Sequence, residues 1–313
     1  MLVKKGDSRI KPSEITSRQA YCSRREIIAG MAGLVAAPFA QGATTSPAPL
    51  AGAPWPGSLA DEHTPKRKAI TYNNFYELGN KKEEPAENKH FYDSKPWKVK
   101  IGGLVEKPGE YDVDELIGWG DMQERVYRLR CVEAWSMVIP WFGFPLNSLI
   151  DRVQPSGDAK YVAFQTFHPL KLFPDEINTS LPWPYVEGLR MDEARHDLTL
   201  LTFGMYGEEL LNQNGAPLRI IVPWKYGYKS IKALVAIDFV AEQPPTSWNK
   251  QAPHEYGFYS NVNPERDHPR WSQKEERAIG SGFFADKRTT DMFNGYEEEV
   301  ASLYQGMDLI ENH

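Results

Sequence analysis

Cysteine is nearly absent from this chain, which carries only Cys22 and Cys131 in 313 residues. No disulfide framework can hold such a chain together, so the fold has to rest on a hydrophobic core. Basic charge is short as well: 36 Lys and Arg against 42 Asp and Glu give a formal net charge of -6. That balance lacks the basic footprint a phosphate backbone requires, and nucleic acid is not an expected partner, although a local basic pocket could still take an anionic cofactor. No apolar run reaches the ~20 residues of a membrane span. The usual catalytic signatures are missing too, with no G-x-S-x-G, P-loop, G-x-G-x-x-G or HExxH. Histidines 63, 90, 168, 196, 254, 268 and 313 fall without metal-ligand spacing, which argues against a histidine zinc site.

What the sequence does contain begins with an address. Lys4, Lys5, Arg9, Lys11 and Arg18 precede Arg24 and Arg25, then an apolar stretch from Ile27 to Ala40 and small residues through Ala43. A charged region, an apolar segment too short to span a bilayer and a small-residue cleavage zone describe an export signal, and the paired arginines mark its twin-arginine form. Residues 1–43 are therefore expected to be a signal peptide read by the twin-arginine export machinery, with the periplasm as destination. Such machinery carries folded proteins, commonly because a cofactor was inserted first. Cys22 leaves with this segment, and Cys131 is then the single thiol of the mature chain. In an oxidising compartment a lone thiol is either deeply buried or put to use.

Residues 44–69 are rich in Pro, Ala, Gly and Ser without periodicity and predict a flexible leader. Residues 70–313 predict a single domain. Alternating stretches at "WKVKIGGLV", "ERVYRLRCV", "KYVAFQTF", "LTLLTFGM", "PLRIIVPW" and "IKALVAIDFV" read as strands, while "YDVDELIGW" and "FPLNSLIDRV" read as brief helices. After Ala241 the chain is irregular, with a short helix expected within 289–306. No βαβ alternation supports a doubly wound sheet, so the fold class is α+β.

Two stretches carry candidate chemistry. Arg128 and Arg130 flank Cys131, and positive charge near a thiol favours the thiolate, the form that ligates metals or attacks electrophiles. A strand would send the arginines to the opposite face unless its end is distorted. The run from Asn212 to Lys232 holds a glycine turn, Arg219, and then Lys225, Lys229 and Lys232 around a second glycine loop. Backbone N–H groups with Arg and Lys at a strand end make a phosphate seat, and a solvated basic hairpin is the plainer alternative. On these residues alone three functions stay open: a cofactor enzyme, a cysteine-dependent hydrolase or peroxidase using Cys131 with His168, and a non-catalytic exported binding protein.

Five stretches, "YNNFYELG", "RLRCVEAWSMVIPW", "FQTFHPL", "NQNGAPLRIIVPWKYGYKSIK" and "YSNVNPERDHPRWSQKEERAIG", occur in one order from Thr71 to Gly280. Together they resemble the molybdenum-containing catalytic subunits of bacterial periplasmic protein-methionine-sulfoxide reductases, within the sulfite-oxidase fold family. The resemblance implies a sulfite-oxidase-type molybdopterin-binding domain with mixed sheets and short helices. It further implies one pyranopterin holding molybdenum, with Cys131 as the protein thiolate ligand and the catalytic centre. Carried over position by position, Asn73, Tyr76 and Glu77 match the first cofactor-contacting segment and Thr166 the second. Asn214, Arg219, Ser230, Ile231 and Lys232 match the third, where Arg219 and Lys232 would neutralise the pterin phosphate and the Ser230–Ile231 backbone would donate hydrogen bonds.

The implied reaction is oxygen-atom transfer from methionine sulfoxide within oxidised protein substrates. The resemblance implies that electrons come from a separate haem-containing membrane subunit, and the lack of a haem-attachment motif in this chain agrees with that division of labour. The substrate opening is expected between aromatic residues such as Trp224, Tyr228 and Trp271. Sulfite oxidases follow the ligand cysteine with small residues and arginines, whereas here the run is "CVEAWSM". Glu133 near the metal would repel sulfite and favour a neutral sulfoxide. The segment after Ala241 also lacks the regular strands of their immunoglobulin-like dimerisation domain, so a monomer is expected apart from the membrane subunit.

Overall fold

A long antiparallel hairpin, Gln123–Cys131 against Trp135–Pro145, forms the centre of the structure. Its connection is only three residues long, and Ala134 takes the left-handed conformation (φ 58°) while its N–H donates to the Cys131 carbonyl at 3.1 Å. Cys131 is thus the last residue of its strand, opposite Trp135. The computed structural model describes residues 47–169, 181–280 and 286–313. The expected signal peptide, with Arg24, Arg25 and Cys22, lies outside them, as do residues 44–46 of the expected leader.

Residues 47–313 make one compact unit built on two sheets. In the first, Trp135–Pro145 pairs along one edge with the cysteine strand and along the other with Leu200–Met205 and Glu275–Ala278. Arg219–Ile221 continues outward from Leu200–Met205. The second sheet runs Gly109–Asp112, Lys98–Gly103, Leu234–Val240, Tyr161–Thr166, Val186–Arg190. It is mixed, because Leu234–Val240 is parallel to Lys98–Gly103 and antiparallel to Tyr161–Thr166. Helices are short, as at Val113–Ile117 and Leu146–Val153, and the α+β expectation stands. One apolar core, including Ile101, Tyr127, Trp141, Phe164 and Leu218, draws on both sheets.

The flexible leader is a correction. From residue 47 onward the chain is laid against the first sheet: Ala53–Pro54 pairs in parallel with Gln123–Glu124, and Trp55 packs edge-on to Tyr127 at 5.8 Å. Arg125 sits 4.4 Å above the Trp55 ring. Thr64 is buried and both donates to Ile279 O and accepts from Val138 N. A few large side chains anchor a stretch whose small residues suggested coil. Helix Lys66–Thr71 then leads into the site.

The expected C-terminal helix is also broken. Met292–Gly295, Glu297–Val300 and Ala301–Tyr304 are separate turns, because Phe293 and Asn294 both take positive φ. That break aims Tyr304 at a buried network: its hydroxyl donates to Glu193 Oε1 at 2.6 Å and accepts from Trp224 Nε1 at 2.8 Å. Lys225 Nζ meets the same Glu193 oxygen at 2.6 Å. Burial tends to raise the Glu193 carboxyl, but the Lys225 ammonium, the Tyr304 hydroxyl and the Arg190 N–H outweigh it and hold the carboxyl below its usual 4.5. A group that binds its proton less readily folded than unfolded favours the fold above the unfolded pKa, and this contribution disappears as pH falls through the folded value. Denaturant unfolding should therefore lose stability from pH 5 downward, with net proton uptake on unfolding across that window. A flat profile there would contradict the assignment.

Candidate functional site

Cys131 opens into a cavity of about 430 Å³ enclosed between the cysteine hairpin, the segment 69–77 and the loops 214–232 and 248–271. The thiol is 7% exposed. Asn74 Nδ2 donates to its sulfur at 3.3 Å, and the Glu133 N–H donates at 3.4 Å. Burial, and secondarily the Glu133 charge, push the thiol up to about 12. Of the flanking arginines only Arg130 counters this, and it does so less than any other neighbour, because strand alternation holds to the last residue. Arg130 Nε pairs with Glu276 at 2.7 Å and Arg128 donates to Asn294 O, both behind the sheet. The thiol is thus a protonated, buried sulfur as it stands, and a soft cation in the cavity would be needed to deprotonate it.

Glu133 Oε2 lies 3.8 Å from that sulfur and accepts from Asn74 Nδ2 at 2.9 Å and Trp135 Nε1 at 3.2 Å. Lys82 Nζ is 2.7 Å from the same oxygen. The electrostatic argument against sulfite is weaker than the sequence suggested, since Lys82 compensates the Glu133 charge. Lys82 lies in the charged stretch 79–90, whose composition carries no sign that one lysine turns inward.

On the opposite wall Arg219 is buried, with Nη1 donating to Asn214 O at 2.9 Å and Nη2 to Ser230 O at 3.1 Å. Its guanidinium lies 5.0 Å from the Trp141 ring. Burial without a carboxylate partner pushes it down to about 9. Lys232 Nζ donates to Asn74 O at 2.9 Å, and burial together with the Arg219 charge pushes it down to about 7. Gly215, at φ 95°, allows the close passage of Lys232, whose Cβ would lie 2.6 Å from any added side-chain carbon. Glu77 shares the wall, and burial pushes it up to about 7 despite the Lys232 charge. Two cations short of counter-charge describe a seat for an anion.

Of the residues expected here, Cys131, Asn73, Tyr76, Glu77, Asn214, Arg219, Ile231 and Lys232 line the cavity. Thr166 and Ser230 stand behind its wall. Thr166 Oγ1 donates to Ala233 O at 3.2 Å, and the Ser230 N–H is taken by Gly227 O at 3.1 Å. Ser230 therefore builds the turn that presents Ile231 and Lys232, and its N–H is not free for a ligand. Lys225 and Lys229 are no part of the phosphate seat, because each is buried against a carboxylate, Glu193 at 2.6 Å and Glu187 at 2.7 Å. Trp224 is fully buried in the Tyr304 network and cannot border an opening, whereas Tyr228 and Trp271 do line the cavity. Trp248, Tyr256 and Arg270 join them from the irregular segment, where no periodicity singled them out. No histidine lines the cavity, so the Cys131–His168 pairing has no geometric basis among the described residues. Nor do those residues contain a group of three His, Cys, Asp or Glu fit for a metal.

Among the described residues, the cavity wall holds four buried polar atoms with no hydrogen-bond partner: Asn73 Nδ2, Asn214 Oδ1, Arg219 Nε and Trp141 Nε1. An unmet buried donor or acceptor costs about 1–3 kcal/mol. Four in one cavity, three donors and an acceptor beside two cations and a thiol, fit a polar heterocycle bearing a phosphate and a thiophilic metal.

The oxidoreductase molybdopterin binding domain family matches residues 86–248. The chain is 53% identical to the protein-methionine-sulfoxide reductase catalytic subunit MsrP of Ralstonia nicotianae, covering 97% of this chain and 96% of that one. It is also 53% identical to the protein of the same name from Burkholderia mallei, covering 99% of each. Among solved structures, the sulfane dehydrogenase SoxCD of Paracoccus pantotrophus aligns over 51% of this chain and 41% of that one, at 17% identity and a TM-score of 0.41.

Proposed function

The chain belongs to the family of protein-methionine-sulfoxide reductase catalytic subunits, molybdopterin-dependent oxidoreductases, and from that premise we propose how its cavity serves the reduction of methionine sulfoxide in proteins. The cavity takes a single pyranopterin. Arg219 and Lys232 neutralise its phosphate, Asn73, Asn214 and Trp141 bond its ring edges, and Cys131 gives the thiolate ligand to molybdenum. When bound, the group supplies two-electron oxygen-atom transfer. Asn74 and the Glu133 N–H hold the Cys131 sulfur in place with bonds of 3.3 and 3.4 Å. The aromatic wall formed by Tyr76, Tyr228 and Trp248 excludes water from one side of the cavity.

The observation that carries this reading is the clustering of four unmet polar atoms, two under-compensated cations and the lone thiol in one cavity. The further reading, drawn from the sequence, is of a protein exported folded by the twin-arginine pathway to the periplasm. It works there as a single copy reloaded by a haem-containing membrane subunit.

Purified protein should carry about one molybdenum and an oxidisable fluorescent pterin, and with an artificial electron donor it should reduce methionine sulfoxide in a peptide. Sulfite oxidation without sulfoxide reduction would overturn the assignment. Replacing Arg219 with Gln removes a charged donor whose hydrogen bonds are worth about 1.5–3 kcal/mol each. Molybdenum and pterin content should fall together, at least several-fold, in protein that still unfolds cooperatively although it has lost the Asn214 and Ser230 bonds. Full cofactor content in that variant would contradict the phosphate seat.

A further inference from the structure

Resting on the reading of this cavity as a sulfoxide-reducing site, we propose that Arg270 orients the substrate by donating to the sulfoxide oxygen. Tyr76, Trp248 and Tyr256 enclose the methionine's methyl and methylene groups. Arg270 is a rim residue with a 58% exposed side chain, yet it is held in place. Its Nη2 donates to Glu255 Oε2 at 2.7 Å and to the Tyr256 hydroxyl at 3.3 Å, and its guanidinium lies 5.1 Å from the Trp271 ring. Trp271 in turn stacks on His268 at 3.8 Å and 7°, and its Nε1 donates to Val132 O at 2.8 Å. Val132 follows Cys131, so the position of Arg270 is tied to that of the thiol through one ring contact and one hydrogen bond, both made by Trp271.

All the hydrogen bonds that anchor it use one nitrogen of the guanidinium, Nη2. Nε and Nη1 have no hydrogen-bond partner among the described residues. Beside them, Tyr76 meets Trp248 edge-on at 5.4 Å and Trp248 tilts against Tyr256 at 4.8 Å. This pairing of free N–H donors with aromatic faces suits a group that has a strongly polarised oxygen and apolar carbons on one sulfur. The thioether product keeps the carbons but loses the acceptor, since a thioether sulfur accepts hydrogen bonds only weakly. Arg270 thus holds substrate and releases product, a discrimination that apolar contacts alone cannot make.

The test uses the cofactor-loaded enzyme without an electron donor, so that binding is measured without turnover. A short peptide with one methionine sulfoxide, and the same peptide with methionine, are titrated into wild type, Arg270→Lys and Arg270→Ala. Wild type should bind the sulfoxide peptide about tenfold or more tightly than the methionine peptide, as expected for a charge-assisted hydrogen bond. Arg270→Ala should weaken the sulfoxide peptide by about that factor and leave the methionine peptide unchanged, with Arg270→Lys between. Under turnover, KM should rise more than kcat falls. Equal losses for both peptides, or none, would overturn the role of Arg270. Wild type that binds the sulfoxide peptide but fails to reduce it with a donor present would instead overturn the reading of the activity.

Discussion

Cys131→Ser should lower molybdenum-dependent sulfoxide reduction by about a thousandfold or more, a loss of ~4 kcal/mol or greater in transition-state stabilisation. A serine hydroxyl is a hard, weakly acidic group, and nothing near position 131 would deprotonate it. The contrast with the Arg219 variant is what makes the result diagnostic. Asn73, Asn214, Arg219 and Lys232 remain in Cys131→Ser, so the pterin should stay bound at a substantial fraction of its wild-type level. The measurements are fluorescence of the oxidised pterin, molybdenum content and turnover with an artificial donor. Full activity in the serine variant would remove the thiolate from the mechanism.

Lys225→Met should cost about 3–5 kcal/mol, the usual consequence of deleting one partner of a buried ion pair. Both side chains of the Lys225–Glu193 pair are at most 1% exposed. Lys225 Nζ also donates to Tyr259 O at 2.8 Å and Asn261 Oδ1 at 2.9 Å, so the ammonium joins three segments. Methionine keeps most of the volume, which isolates the charge from the packing. At about 2–4 °C per kcal/mol for a domain of this size, the melting temperature should drop by roughly 10 °C. Adding Glu193→Gln to the same chain should recover part of the loss, because the uncompensated carboxylate is then gone. A single variant as stable as wild type would show that the pair is not what holds Trp224 and Tyr304 in register.

Local signals reached some parts of this fold and not others. Alternation in Gln123–Cys131 and Tyr161–Thr166 was visible because polar residues mark one face. Trp135–Pro145, the central strand, escaped notice since it is apolar on both faces and is covered on both. The anchored path of residues 47–69 depends on where Trp55 and Thr64 find partners, and those partners lie far along the chain, at Tyr127, Val138 and Ile279. At the site, the cavity residues expected from the resemblance are mostly on the wall. The roles of Lys225 and Lys229 could not be told from composition, because a buried lysine and a solvated one look alike until their carboxylates are known. Arg270, Trp248 and Tyr256 come from the stretch with the least regular pattern, where function rests on tertiary contacts alone.

Val132, one residue beyond the thiol, offers its carbonyl both to Trp271 Nε1 and to Gln273 Nε2, each at 2.8 Å. More than a hundred residues separate the thiol from these donors along the chain, and they leave the ribosome long after it. The wall they complete is closed only once residues 271–273 are in place. A chain stopped short of residue 271 would present the Cys131 thiol without that side of the cavity wall.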